Sequence, residues 1–143
     1  MQYFDKFIDV LYSEYGDYLK NQNKKDIIRF YKSLVDKIYI ALSNKQFIGC
    51  YLIKSCFISD VYVIPKFRNK GLGRILLDDA RKRQVCFKYE LYSDKKNVGF
   101  YHKLGYKIKD AKNSKKVLMV SYNMTMISLI FALIIGLVVY ISF

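Results

Sequence analysis

The sequence predicts a mixed α/β domain over residues 1–123, followed by one C-terminal transmembrane helix over residues 124–143. Three observations lead there. Helix-period and strand-period patterns alternate along the first part of the chain. Two β-rich stretches, Phe57–Ile64 and Val85–Tyr92, flank a single helical stretch, the arrangement of one parallel strand pair. No charged residue follows Lys116, and Met124–Phe143 is apolar apart from Thr125, Ser128, Tyr140 and Ser142.

The elements follow in order. Phe4, Phe7, Ile8, Leu11, Tyr15, Tyr18 and Leu19 recur at helical spacing, so Tyr3–Leu19 reads as an amphipathic helix. Asn21–Lys25 is a polar break. Ile27, Ile28, Tyr31, Leu34 and Val35 mark a second helix with Lys24–Asp26 in its first turn. Ile38–Leu42 and Phe47–Ile53 are β-rich, and Ser43-Asn44-Lys45 between them is turn chemistry, which makes a hairpin. Phe57–Ile64 is a strand stopped by Pro65. Gly71 and Gly73 lead into Leu72, Ile75, Leu76 and Ala80, a third helix that closes on Arg81-Lys82-Arg83. After the strand Val85–Tyr92 comes a short helix, Asn97–Leu104, ended by Gly105 in a left-handed conformation. Tyr106–Lys109 and Val117–Tyr122 complete the strands.

Met124–Phe143 would rise about 30 Å as a helix, the thickness of a bilayer core. A domain this small cannot easily surround a helix that is apolar on every side, so lipid is its natural surrounding. Lys109, Lys112, Lys115 and Lys116 precede it and no charge follows, which predicts a cytosolic N-terminal domain and a single-pass, tail-anchored protein.

The chain has 143 residues, 52% of them hydrophobic, one Pro and seven Gly, which excludes disordered, linker-rich and collagen-like chains. Its net charge of +13 is uneven. Residues 1–60 hold nine basic and seven acidic side chains, residues 61–116 hold sixteen and five, and residues 117–143 hold neither. Such a basic half attracts an anionic partner: a phosphorylated small molecule, a membrane surface or nucleic acid. Cys50, Cys56 and Cys86 show no CxxC spacing and, with the single His102, make no zinc set, so they read as free thiols in a reducing compartment.

The chemistry concentrates in Val61–Arg74. Strand, turn, two glycines and a helix start come in that order, so successive N–H groups around Arg68–Gly73 form an anion site favoured by the helix dipole. Arg68, Lys70 and Arg74 add charge. By itself a Gly-x-Gly fits an ordinary turn among solvated basic residues just as well. The second stretch, Phe100–Tyr106, lies on and just after the fourth helix.

Together the two stretches resemble the GNAT family of acetyl-CoA-dependent N-acetyltransferases. The family's run Val-x-Pro-x-aromatic-Arg-x-x-Gly-x-Gly is matched by Val63, Pro65, Phe67, Arg68, Gly71 and Gly73. Its Phe-Tyr-x-x-Leu-Gly-aromatic run is matched by Phe100, Tyr101, Leu104, Gly105 and Tyr106, and Ile48-Gly49 is similar to the Ile/Val-Gly of its hairpin. The resemblance extends over residues 4–123.

It implies a GNAT-like, mostly antiparallel sheet with a central splayed parallel pair flanked by helices. It also implies acetyl-CoA as cofactor and a primary amine, on a protein or a small molecule, as acceptor. Val61–Val63 and Phe87–Tyr92 would splay apart around the pantetheine arm. The backbone of Val61 and Val63 would bond that arm, with one N–H polarising the thioester carbonyl. Arg68, Asn69, Lys70, Gly71, Leu72, Gly73 and Arg74 would hold the pyrophosphate, and Tyr101 would protonate the departing thiolate as general acid. The base that deprotonates the amine is open between Asp60, where the family often carries an acidic residue, and Glu90. Either is equally a solvated or salt-bridged carboxylate.

Two departures stand out. A helical pattern begins almost at Met1 where the family usually opens with a strand, and Asp94 stands where Asn commonly helps to hold the cofactor. The rival reading is a catalytically inactive, membrane-anchored binding or adaptor protein of the same fold. Nucleic-acid binding ranks third: aromatics are plentiful beside basic residues, but they fall mostly at core spacing.

Overall fold

The computed structural model describes residues 2–111 and 116–141, and within them the side chains of all but residues 2, 15, 17, 18 and 135–141. Two compact units form, Met1–Ala80 and Arg81–Phe143. Among the described residues there are six strands and five α-helices, the mixed α/β class expected.

The first unit begins with α1 (Gln2–Leu19), which buries Phe7, Ile8 and Leu11 against Phe47 and Cys50. Ile28 and Tyr31 of α2 (Lys24–Lys32) pack on the same cluster. Asn23 caps α2 by accepting the Lys25 N–H at 2.9 Å. The helix ends three residues before the expected Val35, because the Ser33 hydroxyl bonds the Phe30 carbonyl at 2.6 Å and a 3₁₀ turn follows over Val35–Lys37.

Strands β1 (Ile38–Ser43) and β2 (Gln46–Lys54) form the expected hairpin. Asn44 and Lys45 both take left-handed conformations, φ 48° and 62°, so a two-residue turn matches the twist of the strands. β3 (Phe57–Val63) runs antiparallel on the other side of β2. The Tyr51 ring stacks on Tyr39 at 5.1 Å, and its hydroxyl donates to Asp79 of α3 (Leu72–Arg83) at 2.6 Å. That bond ties the middle of β2 to the helix carrying the glycine turn.

In the second unit β6 (Lys116–Tyr122) lies between β4 (Lys88–Asp94) and β5 (Lys107–Asp110), antiparallel to both. β4 begins three residues later than Val85, because the Cys86 N–H bonds the Tyr89 hydroxyl at 3.2 Å and Val85–Cys86 takes irregular backbone. α4 (Val98–His102) is shorter than the expected Asn97–Leu104: Asn97 belongs to a 3₁₀ turn over Lys95–Asn97, and Lys103 and Leu104 lie beyond the helix. Gly105, φ 83°, ends it as expected. The Gly105 N–H reaches the His102 carbonyl and the Tyr106 N–H the Tyr101 carbonyl, at 3.0 and 3.1 Å, the paired bonds of a left-handed helix stop. Arg81 clamps this region: its guanidinium donates to the Leu104 carbonyl and Ser121 hydroxyl at 3.1 and 3.2 Å and lies 4.9 Å from the Tyr106 ring.

α5 (Met124–Ile141) begins one residue beyond β6, with Asn123 accepting the Met126 N–H at its side chain and the Ile127 N–H at its carbonyl. The stretch is helical as expected, but among the described residues no helix is long and apolar enough to cross a membrane. The end of the expected span, 142–143, lies outside the described residues, as do the flanking Lys112 and Lys115. Cys50 is a buried free thiol as expected, whereas Cys56 and Cys86 are disulfide-bonded, which corrects the reading of those two as free.

Candidate functional site

Pro65 ends β3 and opens a 3₁₀ turn over Pro65–Phe67, where its fixed φ costs nothing. Two left-handed residues, Asn69 (φ 59°) and Gly71 (φ 81°), then swing the chain into α3. The Ile75 N–H bonds the Gly71 carbonyl at 3.2 Å, so the N–H groups of Leu72, Gly73 and Arg74 precede the helical ladder. A Cβ at Gly71 would meet nothing within 4 Å, so the space beside this helix start is open. Twelve residues of aligned peptide dipoles behind it favour an anion there.

The cations around the turn do different things. Arg68 is folded back: its Nε donates to the Val63 carbonyl at 2.9 Å, its outer nitrogen meets Glu14 at 3.4 Å, and it lies 5.6 Å from the Tyr62 ring. It braces the turn against α1 and the end of β3. Lys70 and Arg74 are exposed, with Lys70 over the Phe67 ring at 5.6 Å and Arg74 3.8 Å from Asp78. An anion at the helix start would meet these two charges.

One strand earlier the β2–β3 ladder bulges. Cys50 pairs with Tyr62 and Leu52 with Ser59, leaving Tyr51 opposite both Asp60 and Val61. Asp60 takes φ 52°, and its carboxylate accepts the Ser59 hydroxyl at 3.1 Å and the Tyr31 hydroxyl at 3.4 Å. Beneath it, burial, with the Asp60 charge second, pushes the Cys50 thiol up to about 12. Val63 returns to register opposite Gly49. Asp60, Val61, Val63 and Arg68–Arg74 thus all belong to the first unit.

Tyr101 belongs to the second unit, buried on α4 with Phe100 and Tyr106 edge-on at 5.0 and 5.9 Å. Burial above all, then Tyr106 and Asp94, pushes its phenol up to about 12, so the proton stays on Oη. Glu90 accepts from Lys88 and Lys109, each at 2.9 Å, and these bonds hold its carboxyl below the usual range. That is a salt-bridged carboxylate and a poor proton acceptor. Glu14 and Tyr31 escaped the sequence reading: one stood on the polar face of a helix and the other at core spacing, and neither pattern shows a side chain reaching the turn or the bulge. Among the described residues no group of His, Cys, Asp and Glu could hold a metal ion.

Known proteins are similar to this chain in sequence and fold. Residues 35–108, just over half of the chain, match the acetyltransferase (GNAT) domain family. A glucosamine 6-phosphate N-acetyltransferase of Trypanosoma brucei brucei is 40% identical over 53 residues, and the chain spans about a third (36%) of its length. Among solved structures, PH1933 from Pyrococcus horikoshii OT3 aligns with TM-score 0.63 and 25% identity, over 84% of this chain and 90% of that one. An aminoglycoside 6'-acetyltransferase type Ii shares the fold at TM-score 0.64 and 16% identity, over 83% and 88% of the two chains. The family match, the strand–turn–helix of Val61–Arg74 and Tyr101 with its helix stop lead to one conclusion: the chain belongs to the GNAT acetyltransferase family.

Proposed function

We propose that the protein is an N-acetyltransferase that moves the acetyl group of acetyl-CoA to a primary amine, and that residues 124–143 attach it to a membrane. The observation that carries the enzymatic reading is the open start of α3, where three N–H groups, Lys70 and Arg74 face the space beside a left-handed Gly71. These groups suit the pyrophosphate of the cofactor, with Arg68 and Asn69 shaping the turn. Val61 and Val63 supply main-chain groups to the pantetheine arm.

Bound acetyl-CoA supplies an acetyl group activated as a thioester. The Tyr101 hydroxyl holds a proton at physiological pH and donates it to the departing thiolate sulfur. Asp60 takes the proton of the attacking amine, directly or through water, and the Ser59 and Tyr31 hydroxyls orient its carboxylate. Glu90, held by two lysines, is the weaker candidate.

Glucosamine 6-phosphate is the first acceptor to test, because the relative from Trypanosoma brucei brucei is named for it and its phosphate suits a basic protein. Membrane attachment is supported by twenty uncharged, almost wholly apolar residues beginning at Met124.

Calorimetric titration of acetyl-CoA into the full chain in detergent, with thiol release as the turnover assay, tests the enzymatic reading. Gly71→Glu puts a carboxylate where the phosphates sit and weakens binding at least about tenfold, whereas Gly71→Asn, which tolerates the left-handed backbone, binds within about threefold of wild type. No binding by the folded wild type overturns the proposal. Binding without turnover on any amine leaves the adaptor reading.

A further inference from the structure

One end of the second unit gathers cations with no part in the chemistry above. The antiparallel register brings the start of β4, the start of β5 and the end of β6 together there: Lys88 pairs with Tyr122, and Lys107 with Val120. The last turn of α3, Arg81-Lys82-Arg83, leads into the same end. α5 departs from it, the Asn123 N–H donating to the Phe87 carbonyl at 2.9 Å. At this end lies a groove of about 620 Å³ walled by Arg81, Lys82, Lys107, Tyr89, Val120 and Met124, with no carboxylate among its lining residues. Beside it Val85, Phe87, Tyr122 and Met124 are 48–68% exposed, a cluster of large apolar side chains open to the surroundings.

Cations over apolar walls, with an aromatic and aliphatic rim, fit an amphiphile whose head is anionic. The position is where the chain passes into α5, so a membrane holding residues 124–143 would supply the occupant from its own lipids. We propose that this groove binds the phosphate headgroup of an anionic phospholipid, with Lys82 and Lys107 as the docking charges. Arg81, committed to Leu104 and Ser121, forms the floor. The exposed apolar side chains reach the acyl boundary, where amphipathic rings are favoured. The proposal rests on reading 124–143 as the membrane attachment.

The test delivers the full chain from detergent into vesicles of phosphatidylcholine, with and without phosphatidylglycerol, and measures co-sedimentation. Wild type attaches to both and binds the anionic vesicles about tenfold more tightly. Lys82→Glu with Lys107→Glu abolishes that preference while leaving attachment to phosphatidylcholine intact. Lys95→Glu with Lys96→Glu, an equal charge change on the exposed turn before α4, retains most of it. All four lysines are exposed, so the variants fold. A missing preference in wild type, or one that survives in the groove variant, overturns the proposal. So does loss of the preference in millimolar inorganic phosphate at constant ionic strength, which would mark a site for free anions. Failure to attach to phosphatidylcholine sinks the membrane reading instead. The groove is then judged by attachment to the anionic vesicles: binding lost in the groove variant sustains it, and no binding overturns it.

Discussion

Burial holds the Tyr101 proton in place to about pH 12. A general acid contributes roughly 10²–10⁴-fold to a rate, so Tyr101→Phe lowers kcat by at least about a hundredfold while acetyl-CoA binding stays nearly unchanged. Unchanged kcat in steady-state assays would remove Tyr101 from the chemistry. The same shift has a consequence for stability. An unfolded tyrosine releases its proton near pH 10, so between about 10 and 12 the folded state binds more protons than the unfolded one. The Tyr101 contribution is therefore fully present below about pH 10 and lost as pH rises toward 12, an effect on the order of 2 kcal/mol. Cys50, with its thiol also pushed up to about 12, acts in the same direction. Urea unfolding at about pH 8 and about pH 11 shows a smaller drop in stability for Tyr101→Phe than for wild type.

The hairpin and α3 meet at Gly49 with no room to spare. A Cβ there would stand 2.7 Å from the Tyr62 carbonyl oxygen and 3.2 Å from Leu76 Cδ1. The nearer atom is backbone in a paired strand and cannot step aside, so Gly49→Ala destabilises the first unit by about 1–3 kcal/mol. Its urea midpoint falls with an unchanged slope; a midpoint equal to wild type would mean that β2 and β3 shift apart freely. Several elements of this kind were legible from local chemistry. The Asn44-Lys45 turn and the Gly105 stop announce themselves because a left-handed backbone narrows the choice of residue. The end of α2 and the start of β4 did not, because each depends on one hydrogen bond, from the Ser33 hydroxyl and to the Tyr89 hydroxyl, that periodicity cannot register.

Across the whole chain the charge is arranged by region, with a net +11 between residues 61 and 116 and none after Lys116. That pattern suits a protein whose basic part faces anions while its end leaves water. Membrane attachment through 124–143 predicts that the full chain stays with the membrane fraction through an alkaline carbonate wash. Ile130→Lys with Ile134→Lys, which puts two charges in the middle of the stretch, releases it to the supernatant. Wild type that washes off would end the reading of that segment as an anchor.

Element order, the hairpin, the glycine turn into α3 and the family resemblance all followed from the chain alone, because each is written in neighbouring residues: a period, a left-handed position, a helix start. What the residues around the site do was a matter of tertiary contacts. Arg68 looked like a phosphate ligand and is turned back onto Val63 and Glu14. Asp60 and Glu90 looked alike as carboxylates, yet one sits on a bulge under two hydroxyls and the other between two lysines. The distant partners among these, Glu14, Tyr31 and Lys109, come from elements 19 to 54 residues away in the chain. Distance and direction between such groups exist only once the strands and helices have packed, so no local pattern could have carried them.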